Sequence, residues 1–250
     1  LQADVLIGNK GANDSLLLDV IPLSLGLETM GGLVEKIIPR NATIPISKSQ
    51  EFTTFKDGQT AMKLHILQGE RELVSDCRSL AHFELRGIPP MVAGSAKISV
   101  SFRVDADGLL GVEAQELSSG KKTSISIKPS FGLTEEEITR MLRDSFEKAE
   151  IDHEQRLLTE SQVEADRLIH DIQGALEQDG ENVLDEQEIK MLQLNIKDLK
   201  NVREQSSDRN LLVNLTEKLM KSSETFAERR MNFSIKKALS GKSLDEVETE

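Results

Sequence analysis

The sequence predicts a β-sandwich followed by an α-helical assembly, and three observations carry that prediction. Apolar and polar residues alternate in short runs from about Leu16 to Lys128, the period of half-buried strands. After Gly132 the apolar spacing changes to three and four, the period of amphipathic helices. The charge changes with it: residues 1–128 hold 14 Lys/Arg against 15 Asp/Glu, whereas residues 129–250 hold 17 against 28.

The strand half reads in order. Leu23, Leu25 and Leu27 alternate with Ser24, Gly26 and Glu28. Met62, Leu64 and Ile66 share one face of the run Ala61–Leu67. Ile98, Val100, Phe102 and Val104 do the same opposite Ser99, Ser101 and Arg103. Asp107-Gly108 then signals a hairpin, and Leu110, Val112 and Ala114 resume the alternation. Ser124–Ile127 closes the series. Short strands with Gly, Asp and Asn turns between them predict an antiparallel sandwich.

In the second half, Thr134 and Glu137 form a capping box ahead of the stripe Ile138, Met141, Leu142 and Phe146. A second helix is expected across Glu160–Glu177, ending near Asp179-Gly180. Asp185 and Glu188 open a third, with Ile189, Leu192, Ile196 and Leu199 inward. Leu212, Leu215, Leu219 and Phe226 define a fourth. No proline follows Pro129 to break any of them. One stretch fits neither period: Leu16-Leu17-Leu18, bracketed by Asp14 and Asp19.

Composition removes several function classes. A net charge of −12, concentrated in the helical half, repels phosphate backbones and anionic membranes. One cysteine, Cys77, cannot form an intramolecular disulfide and fits a reducing cytoplasm. His65, His82, His153 and His170 are scattered without metal-ligand spacing. Asp105-Ala106-Asp107-Gly108 has the look of a calcium loop, but Arg103 and Ala114 would then stand at the first and last ligand positions. A turn is the expected reading. Gly31-Gly32 lacks the Lys-Ser/Thr of a phosphate loop, and no Gly-x-Ser-x-Gly elbow occurs.

Four segments remain: Leu16–Gly32, Ile44-Pro45, Leu67–Arg71 and Asp105–Gly108. Together they resemble the substrate-binding region of the DnaK-type, seventy-kilodalton heat-shock chaperones. The resemblance covers nearly the whole chain and is firmest to about Asp152. Glu51–Met62 and Asp76–Leu80 are similar to the branch of that family that serves bacterial iron–sulfur cluster assembly.

The resemblance implies a cytoplasmic chaperone fragment in three parts. Residues 1–18 would be the end of an ATPase domain and the interdomain linker, with Leu16, Leu17 and Leu18 as the linker itself. Residues 19–130 would be a peptide-binding sandwich and residues 131–250 a helical lid. The chain would start partway through a longer protein and would not itself be an enzyme, ATP and magnesium belonging to the preceding domain. Leu27, Phe52, Met62, Leu64 and Ile98 would line the central pocket. Met30 and Phe55 would arch over the client, and Thr29, Thr53, Gln59 and Ala61 would lie along the groove. Asp57, Asp166 and His170 would latch the lid, with Ala93 replacing the basic partner of Asp166. Asp19, Arg40, Asn41 and Asp107 would face the ATPase domain.

The expected client is an extended apolar or proline-containing segment such as Leu-Pro-Pro-Val, carried by the iron–sulfur scaffold IscU. The J-type co-chaperone HscB is the expected partner. Two rival readings stand beside this one. A generalist folding chaperone would differ in peptide preference, and an acidic helical adaptor with an inert sandwich would bind no extended peptide.

Overall fold

The computed structural model describes residues 19–130 and 132–239. Leu16, Leu17 and Leu18 lie outside them. The chain divides into two compact units, residues 1–153 and 154–250.

The first unit holds eight strands: β1 (Leu25–Thr29), β2 (Leu33–Ile38), β3 (Ile46–Phe52), β4 (Ala61–Gln68), β5 (Arg78–Arg86), β6 (Ile98–Val104), β7 (Leu110–Glu116) and β8 (Lys122–Ile127). They form two antiparallel sheets of four, ordered β2-β1-β4-β5 and β3-β6-β7-β8. The inward residues make the core. Leu25, Leu27, Ile38, Leu64, Ile66 and Leu85 of one sheet meet Ile98, Val100, Phe102, Leu110, Val112 and Ala114 of the other. Phe102, the largest fully buried side chain, sits mid-strand in β6 opposite Val112. The alternation of β6 and β7 is complete because each has one buried face.

At the β6–β7 turn, Asp105 Oδ1 accepts the backbone N–H groups of Asp107 and Leu109 at 3.0 and 2.9 Å. The expected turn is present, and its side-chain bonds are the kind that Asp supplies. The β7–β8 turn is built on Glu116, fully buried, whose carboxylate accepts N–H and O–H bonds from both Ser118 and Ser119. Those bonds hold its carboxyl down to about 2.

The helices are α1 (Glu135–Glu147), α2 (Ala149–Val183), α3 (Glu186–Gln205) and α4 (Arg209–Leu239). Capping boxes at Thr134/Glu137 and Asp185/Glu188 open α1 and α3. The first unit takes in α1 and the start of α2, so the compact division falls within α2 rather than near residue 130. α1 buries no residue, and Phe146 is exposed beneath the Arg40 guanidinium, 5.3 Å from the ring centroid. Ala165, Ile169, Ile172, Leu192, Ile196, Leu199, Leu212, Leu219 and Phe226 form the core of the second unit. Helix α2 continues past Gly180, where the sequence signals a stop. Arg230 holds Asp179 at 2.6 Å, and the chain leaves the helix only after Leu184 N–H has bonded to Gly180 O.

Candidate functional site

Strand β1 ends at Thr29, and the chain reverses through Met30-Gly31-Gly32 into β2. Gly31 and Gly32 have φ of 82° and 72°, the left-handed region that glycine enters without a Cβ clash. The reversal leaves Met30 half exposed at the strand end. Across from it, β3 ends at Phe52 and a loop of residues 53–60 leads to β4, carrying Phe55 at its centre.

Between these features lies a cavity of about 600 Å³. Leu27, Met30, Phe52, Phe55, Met62 and Leu64 supply its apolar lining, with Thr29, Thr53 and Gln59 at its edge. Nine of the eleven residues expected at the groove therefore come together. The other two do not line it. Ile98 is fully buried opposite Phe52 in the β3–β6 register. Ala61 lies beside the cavity, its carbonyl accepting Gln59 Nε2–H at 2.8 Å.

Glu28, Lys63, His65 and His82 also line the cavity, and none of them is among the residues expected there. His65 Nδ1 is 2.6 Å from Glu28 Oε2, and its Nε2 is 2.8 Å from Ser79 Oγ. The His82 ring stacks on His65 with centroids 3.8 Å apart. The usable signal was the outward set of β4, since Lys63 and His65 alternate with Met62, Leu64 and Ile66.

The residues expected to latch a lid have partners of their own. Asp57 Oδ1 accepts Ala93 N–H at 2.7 Å within the first unit. Asp166 accepts Arg203 Nη2–H at 2.6 Å within the second, and His170 is exposed on α2. Of the residues expected to face a partner domain, Asp19 and Asp107 share a second cavity of about 290 Å³ with Val20, Ile21 and Pro22. Arg40 instead covers Phe146, and Asn41 takes a left-handed φ of 63°.

A link with no counterpart in the sequence reading joins β4–β5 to the start of α2. Arg71 donates from Nε and Nη2 to both carboxylate oxygens of Asp152, the Nη2 bond measuring 2.7 Å. Asp76 lies 3.5 Å from the same guanidinium. Hydrogen bonding to Arg71 holds the Asp152 carboxyl below the ordinary range, and the same bond raises Arg71. Nearby, burial pushes the Cys77 thiol up to about 11, so it is no thiolate nucleophile at neutral pH.

The first unit is thus a two-sheet sandwich with an open, apolar-floored cavity at its strand ends. The comparisons place it. The Hsp70 protein family matches residues 1–232. Chains named Chaperone protein HscA homolog are 60% identical over 248 residues in Pseudomonas aeruginosa strain LESB58 and 57% identical over 249 in Pseudomonas fluorescens. The corresponding chain of Haemophilus influenzae is 57% identical over 248. Each alignment covers 99% of this chain and 40% of the relative. The chain belongs to the Hsp70 family.

The expectation that the chain is no enzyme is corrected by that result. The Hsp70 family model matches residues 1–232, so the chain is not set apart from the family as a non-enzymatic part. Scattered histidines and carboxylates without metal-ligand spacing do not exclude ATPase activity in a chain spanning 40% of its relatives' length.

Proposed function

We propose that this chain holds an extended client peptide for an Hsp70-type chaperone of iron–sulfur cluster assembly. The observation that carries the reading is the cavity at the ends of β1, β3 and β4, floored by Leu27, Met62 and Leu64 and flanked by Met30 and Phe55. An extended chain offers backbone hydrogen bonds whatever its sequence, and such a cavity selects one apolar side chain. Burying one Leu-sized group contributes roughly 1.5–3 kcal/mol, and micromolar binding needs about 8 kcal/mol. Backbone contacts and closure over the client must supply the remainder. Proline-rich segments suit this, because they lose little entropy on binding.

The relatives are named HscA homologs, which supports the chaperone reading. The iron–sulfur role, with IscU as client and HscB as co-chaperone, belongs to the same proposal. ATP and magnesium are the cofactors of the whole protein, and the cytoplasm its compartment. The helical segment is proposed as a lid, which Asp57, Asp166 and His170 would latch only by exchanging the Ala93 and Arg203 partners of the two aspartates. Asp19, Arg40, Asn41 and Asp107 are proposed to face the nucleotide-binding part. Fluorescence anisotropy with labelled Leu-Pro-Pro-Val-Lys and a scrambled control tests the groove. Saturable binding of the first alone is expected. Equal binding of both, or none, rejects the reading.

A further inference from the structure

We infer that Gln59 is the positioning residue of the Phe55 loop, setting where Phe55 stands beside the cavity rather than hydrogen-bonding the client itself. The inference rests on the groove reading above, but its physical content lies in the client-free chain.

Residues 53–60 join β3 to β4 and turn sharply at 56–59. Gln59 N–H bonds to Lys56 O at 3.3 Å, and Gly58 takes a left-handed φ of 67°. The Gln59 side chain then folds back across the turn it closes. Its Oε1 accepts the N–H groups of Phe55 and Lys56 at 3.1 and 3.4 Å, and its Nε2 donates to Ala61 O at 2.8 Å. A side-chain amide offers two acceptor and two donor positions. Three of the four are spent on the loop's own backbone, leaving one Nε2 hydrogen for anything else.

The residue type follows from that geometry. The loop presents two N–H groups at one end and a carbonyl at the other, and only an amide meets both. Glu would keep the two N–H bonds but set a carboxylate oxygen against the Ala61 carbonyl. Leu would fill the space and satisfy neither end. The Phe55 N–H is the nearer of the two held groups, so the amide fixes the backbone from which that ring projects. On its other side the loop is tied to the segment after β5. Gly58 N–H bonds to Met91 O, Gly94 N–H to Thr54 O and Ala93 N–H to Asp57 Oδ1. The brace from Gln59 acts on the remaining edge, the one facing the cavity.

Amide hydrogen exchange of the client-free chain, by NMR, reads the brace directly. Gln59→Leu is expected to speed exchange at Phe55 and Lys56 about fivefold or more, the worth of one hydrogen bond. Gln59→Glu is expected to leave both near wild type. Release of labelled Leu-Pro-Pro-Val-Lys from Gln59→Leu should accelerate about three- to tenfold while the thermal midpoint falls by only about 2–4 °C. Unchanged exchange in client-free Gln59→Leu overturns the inference, whether or not peptide binding weakens. Weakened binding in that case would assign Gln59 to direct contact with the client. Raised exchange in a chain whose wild type binds no peptide upholds the brace and rejects the groove reading instead.

Discussion

Arg71 and Asp152 are joined by a two-bond ion pair that ties the segment after β4 to the first turn of α2, 81 residues further along the chain. Both side chains are nearly buried, at 11% and 6% exposure. A guanidinium fork against a carboxylate fixes direction as well as distance, which a lysine would not. The pair sets how the chain leaves the sandwich.

Breaking the pair should free that exit without unfolding the sandwich. Arg71→Ala is expected to lower stability by about 2–4 kcal/mol, because it leaves Asp152 buried without its partner. Faster hydrogen exchange at residues 149–153, with β6 and β7 still protected, is the expected pattern. The pH dependence follows from the depressed Asp152 carboxyl. Its folded-state pKa lies below the unfolded one, so its contribution is complete above the usual Asp range and is lost as pH falls below about 4. Urea midpoints at pH 7 and pH 3 should therefore differ more in wild type than in Arg71→Ala.

Glu116 makes a second acid-sensitive point. Its carboxylate is buried and accepts four bonds from Ser118 and Ser119, with its carboxyl held down to about 2. That contribution is present above the unfolded Glu value of about 4.3 and disappears between there and about 2. Glu116→Gln keeps the shape but turns two of the acceptor positions into donors facing donors. A loss of about 1–3 kcal/mol at pH 7, shrinking towards pH 2, is expected from chemical denaturation.

The two ends of the molecule differ in how much their sequence reveals. The Ile98–Val104 pattern was readable because β6 has a core face and a polar face throughout. Strand β3, Ile46–Phe52, was not, since none of its residues is buried and its alternation carries little contrast. Gly180 reads as a helix end, yet nothing there needs a left-handed residue and α2 runs on. At the site, Leu27 and Leu64 alternate just as Ile66 and Val100 do. Their place at an open cavity depends on where Gly31-Gly32 and the residue 53–60 loop turn, which periodicity cannot report. The Glu28–His65–Ser79 chain spans separations of 37 and 14 residues, and only the register of β1, β4 and β5 assembles it.

The cavity floor should respond to shortening of Met62. Met62→Ala removes three heavy atoms from a lining side chain, and weaker binding of an apolar peptide by about tenfold is expected. Titration by anisotropy measures it. A scrambled peptide that never entered the cavity would show no such change.

Gly26 offers the sharpest structural test because it couples the fold to the cavity wall. It lies in β1 at the bulge where the pairing with β2 shifts register. A Cβ built there would stand 2.5 Å from the backbone oxygen of Glu35 and 3.1 Å from Val34 Cγ1. The nearest atom belongs to backbone that is itself paired in β2, so it cannot swing aside as a side-chain tip would. Relief requires β1 and β2 to separate, at a cost of about 2–4 kcal/mol. Separation would also displace Leu27 and the Met30 turn, which follow directly in the chain. Gly26→Ala is therefore expected to lower the urea midpoint and to weaken peptide binding together. Gly108→Ala, whose Cβ would meet nothing within 4 Å, is strained only by its φ of 75° and should lower the midpoint by a smaller amount while leaving binding intact.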